Sequence, residues 1–226
     1  MPFDYFGTKT RLANTYPVAR YDTIVEPFAG AAAYSLQGDH WTRNIVLIDS
    51  YKPVVNLWKW LQAVDESAVL SLPDLLEGTF TLDPAHPAFW MMQWFQGRGS
   101  DRPRFTPSPW QIRDWPRYRR RVAADIHKIR HWHIIEGDYT DAPDIEATWF
   151  IDPPYRHQGH QYLNGSSGIN YEYLAEWSMT RQGQAVVCEQ EPADWLPFEH
   201  HRSHKTQSNN IVSELIWTNE PPLRLF

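Results

Sequence analysis

The chain has 226 residues, enough for one domain with a substantial core and an insertion, and too few for two full domains. A single cysteine, Cys188, excludes a disulfide framework and a cysteine-rich zinc site and fits a reducing compartment. The net charge of −6 argues against a uniformly basic polyanion binder, yet eight of the sixteen arginines fall between Arg98 and Arg121, so a basic face can sit on an acidic body.

From the N-terminus, "MPFDYFGTKTRLANTYP" lacks the apolar core of a signal peptide. No segment approaches the ~18 apolar residues that span a bilayer, so a cytosolic protein is expected. "YDTIVEPF" reads as a short buried strand over about 22–26 that ends at Pro27, followed by a small-residue helix start in "AGAAAYSLQG". "NIVLIDS" is a second buried strand, and "PVVNLWKWLQAVD" a helix with Pro53 in its first turn. The segment 78–115 breaks this rhythm: it is rich in Pro, Trp and Arg and reads as an insertion between catalytic-domain parts 1–77 and 116–226. "HWHIIEGDY" gives a third strand, "EATWFIDPPY" a fourth and "GQAVVCEQ" a fifth. A helix, "NYEYLAEWSMTRQG", lies between the last two, and "NNIVSELIWTN" is a late strand that can close the sheet. Continuous apolar strands separated by helices predict an α/β fold with a mostly parallel sheet covered on both faces.

In such sheets, ligands sit outside the carboxyl ends of the strands. Here those ends carry "EPFAGAA", Asp49, "EGDY" and "DPPY". Gly30 allows the backbone to pass close to a ligand, and a helix N-terminus after it would offer free N–H groups. Asp49 can accept the two hydroxyls of a ribose, or cap the helix that starts near Pro53. "DPPY" is the most specific signal: chance places it in roughly one of two hundred chains of this composition. Prolines 153 and 154 hold their carbonyls rigid, so Asp152 and the Pro153 carbonyl can accept the two hydrogens of a planar amino group, while Tyr155 offers a ring face to a base drawn out of its stack. "EHHRSH" at 199–204 reads as a strand or loop edge and not as a metal site, since no carboxylate or cysteine cluster completes it. Cys188, inside an apolar strand, reads as a core residue, and a cytosine carbon-5 mechanism, which needs an exposed thiol, is excluded.

These motifs together resemble the Dam-type S-adenosylmethionine-dependent DNA adenine N6-methyltransferases. Asp152, Pro153, Pro154 and Tyr155 match the family's catalytic motif. Glu26, Pro27, Phe28 and Gly30 match its acidic-Pro-Phe-x-Gly-x-Gly run, with Ala32 replacing the second glycine. "YFGTK" matches its N-terminal aromatic-x-Gly-Gly-Lys motif at Tyr5, Gly7 and Lys9, with Thr8 in place of a glycine. Asp49 falls at the ribose-binding acid, Asp138 and Tyr139 at the motif beside the cofactor adenine, and "VSELIW" is similar to the closing strand. The resemblance implies a Rossmann-like class I methyltransferase with a seven-stranded, mostly parallel sheet and a small target-recognition insertion. It implies an adenine-specific DNA methyltransferase that uses S-adenosyl-L-methionine, needs no metal or membrane, acts as a monomer or weak dimer on double-stranded DNA, and works in the cytoplasm of a bacterial or phage-infected cell. Arg98, Arg102, Arg104, Arg117 and Arg120 are the candidates for pairing with phosphates or reading guanine edges. Two alternatives stand beside it: N-methylation of RNA or of a protein amide, and a non-catalytic DNA-binding protein of the same fold.

Overall fold

The computed structural model describes residues 3–5, 7–10, 12–76, 82–97, 106–157, 166–205 and 211–219. Its centre is a seven-stranded sheet in the order β3-β2-β1-β4-β5-β7-β6. The strands are β1 (Thr23–Glu26), β2 (Asn44–Asp49), β3 (His133–Glu136), β4 (Ala147–Ile151), β5 (Gly183–Gln190), β6 (Glu199–Lys205) and β7 (Ile211–Thr218). The first five are parallel, and β7 runs antiparallel between β5 and β6. The fold is therefore mixed α/β with a mostly parallel sheet, compatible with a Rossmann-like arrangement.

Strand side chains alternate between faces, and the apolar positions of the inner strands are continuous, so each face needs its own cover. On one face Ile24, Ile45, Leu47, Phe150, Val186 and Cys188 pack into a cluster completed by Trp58 of α1 (Lys52–Ala63), Trp94 of α3 (Ala88–Gly97) and Trp115 of α4 (Pro109–Asp125). On the other, Val25, Val46, Ile48, Trp149, Ile151 and Val187 pack against Leu174 and Trp177 of α5 (Tyr171–Met179). Each fully buried aliphatic chain here contributes about 1.5–3 kcal/mol. Slipping any inner strand by one residue would exchange the two sets, which is why the register Ile24↔Ile45, Val25↔Val46 is specified so strongly.

The short α2 (Glu66–Leu70) starts at Asp65, whose carboxylate accepts the Ala68 N–H at 2.9 Å, and packs against α4. Within the Pro, Trp and Arg-rich stretch, α3 and the start of α4 contribute Met91, Met92, Trp94, Phe95 and Trp115 to the same apolar cluster as the sheet.

One element differs from the sequence expectation. The segment after β1, expected to begin a helix, is a chain of separate turns: Ala32 N–H donates to the Ala29 carbonyl and Gln37 N–H to that of Tyr34. Gly30, Ala32 and Gly38 have φ of +45°, +47° and +54°, and left-handed residues at this spacing interrupt a right-handed helix. "EHHRSHK", read as a strand or loop edge, forms the edge strand β6.

Candidate active site

Strand order reverses between β1 and β4: the chain moves outward through β2 and β3, then returns to the other side of β1. Because these four strands are parallel, their carboxyl ends open on one edge, and a cleft of about 870 Å3, counted to its open mouth, lies there. Gly7, Tyr5 and Lys9 line it from the N-terminal segment, Glu26, Pro27, Phe28 and Gly30 from the end of β1, Asp49 from β2, Asp138 and Tyr139 from the end of β3, and Asp152 and Pro154 from the end of β4. All ten residues expected to hold a cofactor thus share a cavity with Asp152. Pro153 and Tyr155 do not line it.

At the first turn Trp58 Nε1–H donates to the Gly30 carbonyl at 2.8 Å, and the Gly30 N–H donates to Asp49 Oδ2 at 2.9 Å. Asp49 Oδ1 accepts the Tyr51 N–H at 2.8 Å. Asp49 is therefore a clip between the glycine turn and the entry to α1. It does not cap that helix, since its partner Tyr51 is itself the N-cap residue. Burial raises its pKa to about 6, against the lowering effect of the two N–H bonds. Glu26 is buried still more deeply and accepts the Ser35 N–H at 2.7 Å; burial raises its pKa to about 8, so at neutral pH its carboxyl is mostly protonated. Phe28 stacks on Tyr139 with ring centroids 5.4 Å apart, and Asp138 accepts the Thr140 N–H at 3.1 Å in the turn after β3.

The Asp-Pro-Pro-Tyr segment leaves β4 as irregular backbone held by its neighbours. Tyr171 O–H donates to the Pro154 carbonyl at 2.5 Å, and the Arg156 N–H donates to Glu189 Oε2 at 3.1 Å. Glu189 also accepts Trp195 Nε1–H at 2.8 Å. Asp152 pairs with Lys9, Nζ to Oδ1 2.8 Å; burial raises the Asp152 pKa, the Lys9 ammonium opposes this and nearby Glu214 adds to it. Lys9 Nζ also lies 4.5 Å from the Tyr155 ring centroid and 3.8 Å from Glu214 Oε1. The same Glu214 oxygen accepts the hydroxyls of Tyr155 and Tyr16, each at 2.7 Å.

Sequence reasoning missed Glu214, Glu189 and Tyr16. A signal existed for the first two: each is the only acidic residue inside an apolar strand, in "IVSELIWT" and "QAVVCEQ". Thr8 adds a buried hydroxyl with no partner at the cleft wall. Of the arginines expected to meet DNA, Arg98, Arg102 and Arg104 lie outside the described residues. Arg117 and Arg120 are exposed on α4, and neither lines the cleft. Cys188 is buried and free, and burial pushes its thiol well above the usual range, with Asp152 and Glu214 acting in the same direction. Among the described residues there is no group of three or more His, Cys, Asp or Glu placed to hold a metal ion, and no helix long and apolar enough to cross a membrane. No protein-family model matches the chain, and no curated protein is similar enough to match it.

Proposed function

We propose that the protein is a Rossmann-like class I methyltransferase that moves a methyl group from S-adenosyl-L-methionine to the N6 amine of adenine in double-stranded DNA, in the cytoplasm. One observation carries this reading: a single cleft at the strand-order reversal joins a glycine turn, a strand-end carboxylate and the carboxylate of an Asp-Pro-Pro-Tyr segment. The residues present suit the cosubstrate. Asp49, Asp138 and Asp152 line the cleft against one lysine, a balance that favours a cationic ligand. Asp49 spends one lone pair of each oxygen on backbone N–H groups and keeps the others for ribose hydroxyls. Phe28 and Tyr139 give an apolar wall beside Asp138.

S-adenosylmethionine, when bound, supplies an electrophilic methyl group on a sulfonium. The remaining steps belong to the protein. An exocyclic amine is a poor nucleophile because its lone pair is delocalised into the ring. Asp152 and the Pro153 carbonyl accept its two hydrogens and so favour the pyramidal, attacking form. As the nitrogen gains a methyl it must shed a proton, and Asp152 is positioned to take it. Tyr155 supports the ring of the flipped base once the Lys9 ammonium withdraws from that face. Exposed Arg117 and Arg120, with the arginines of the neighbouring stretch, pair with phosphates.

The test is incubation of DNA with the protein and labelled S-adenosylmethionine, followed by digestion to nucleosides. Label in N6-methyldeoxyadenosine is the expected result. Asp152→Ala is expected to abolish transfer while cofactor binding by calorimetry stays within a few-fold; unchanged turnover refutes the assignment of Asp152.

A further inference from the structure

Glu214 is not one of the residues that touch the cleft, yet three side chains around the Asp-Pro-Pro-Tyr segment converge on it. Its carboxylate is 2% exposed, and one oxygen accepts both the Tyr155 and the Tyr16 hydroxyl. Lys9 Nζ lies 3.8 Å from that oxygen and 2.8 Å from Asp152, so the lysine stands between two carboxylates with the Tyr155 ring beneath it. A phenol tethered at its hydroxyl cannot swing its ring away from the site, and an ammonium with two anionic neighbours is not committed to either.

We infer that Glu214 is a positioning residue: it anchors the Tyr155 side chain and offers Lys9 a second anion, so that Asp152 can turn its oxygens to an incoming amine. The inference rests on the proposed methyl transfer for its catalytic meaning, although the positioning itself is a property of the protein alone. Without Glu214 the lysine has one carboxylate left, and Asp152 becomes the permanent partner of a cation. The titratable groups facing Glu214 are Lys9 and Tyr16 from the N-terminal segment, Asp152 and Tyr155 beyond β4, Cys188 of β5 and His201 of β6. Of these, Asp152 is the one whose titration the Glu214 charge moves and the reaction uses.

Two variants separate the parts. Glu214→Gln keeps an oxygen that accepts both tyrosines but removes the charge; Glu214→Ala removes both. Misplacement of this order is expected to lower kcat about 10-fold in the first and about 100-fold in the second, with the KM for S-adenosylmethionine unchanged. In Glu214→Gln the acidic limb of the kcat profile is expected to move to lower pH, because an anion that holds the Asp152 pKa up is gone. Carbon-13 NMR of the Asp152 carboxyl, which needs no turnover, is expected to show the same downward shift, with circular dichroism confirming that the isosteric variant is folded. Wild-type kcat together with an unmoved Asp152 titration overturns the inference. A wild-type protein inactive on DNA whose Asp152 titration still responds to Glu214→Gln upholds the positioning and removes only the reaction it was to serve.

Discussion

Gly30 is held from three sides: its carbonyl by Trp58, its N–H by Asp49, and its α-carbon by the Tyr5 ring, whose Cδ1 lies 3.2 Å from where a Cβ would stand. With φ at +45°, Gly30→Ala adds backbone strain to that contact and is expected to cost about 1–2 kcal/mol in chemical denaturation, and to weaken S-adenosylmethionine binding more than it weakens folding. Ala32 already bears a left-handed backbone with a Cβ present, so the turn tolerates a side chain there at a cost of about 1 kcal/mol. Asp49 makes a pH prediction. In the proposed reading, ribose hydroxyls donate to the ionised Asp49 carboxylate, and with a pKa of about 6 that form is lost as pH falls through 6. Cofactor affinity by calorimetry is therefore expected to decline between pH 7 and pH 5, and Asp49→Asn to remove that dependence along with most of the affinity. The strand-end residues were legible in the sequence because each stands where an apolar run stops. Glu214 was not, since its partners Tyr155 and Tyr16 lie 59 and 198 positions away and no local pattern encodes such a meeting.

At the scale of elements, Gln111 fastens α4 to α3. Its amide nitrogen donates to the carbonyls of Phe95 and Gln96, and its oxygen accepts the Ser108 N–H at 2.7 Å. Gln111→Ala leaves two buried carbonyls and the part-buried Ser108 N–H without that partner and is expected to cost about 2–3 kcal/mol, read as a lowered denaturation midpoint with an unchanged slope. Pro116 lies inside α4, where it withholds an N–H from the helix ladder; Pro116→Ala is expected to raise stability by about 1–3 kcal/mol. The inner strands and α1 and α5 were readable because periodicity and length agree there. β6 was legible only as a strand or loop edge, because an edge strand needs no apolar alternation; pairing with β7 makes it a strand. The expected helix after β1 failed for a reason of backbone sign: composition reports small residues but not which of them turn left-handed.

Over the whole molecule, the net charge of −6 coexists with carboxyls that burial disfavours as anions. Glu26 titrates near 4.5 when unfolded and near 8 when folded, so the folded state holds the extra proton and stability from this group is lost as pH rises from 4.5 through 8. Glu26→Gln is expected to flatten that part of the stability profile, measured by urea unfolding at several pH values, relative to the wild type. The parallel α/β plan was legible from the alternation of apolar strands with helices, whereas the strand order is set by long-range pairing that no single segment records. The placement of β7 has a consequence for biosynthesis. The strand that arrives last is not an edge strand; it must slot between β5 and β6 after both have left the ribosome, and it brings Glu214 with it. A nascent chain therefore carries its complete strand-end cleft before it carries the anion beside Lys9 and Tyr155, and that cluster is completed only when synthesis has passed residue 218 and the exit tunnel has been cleared.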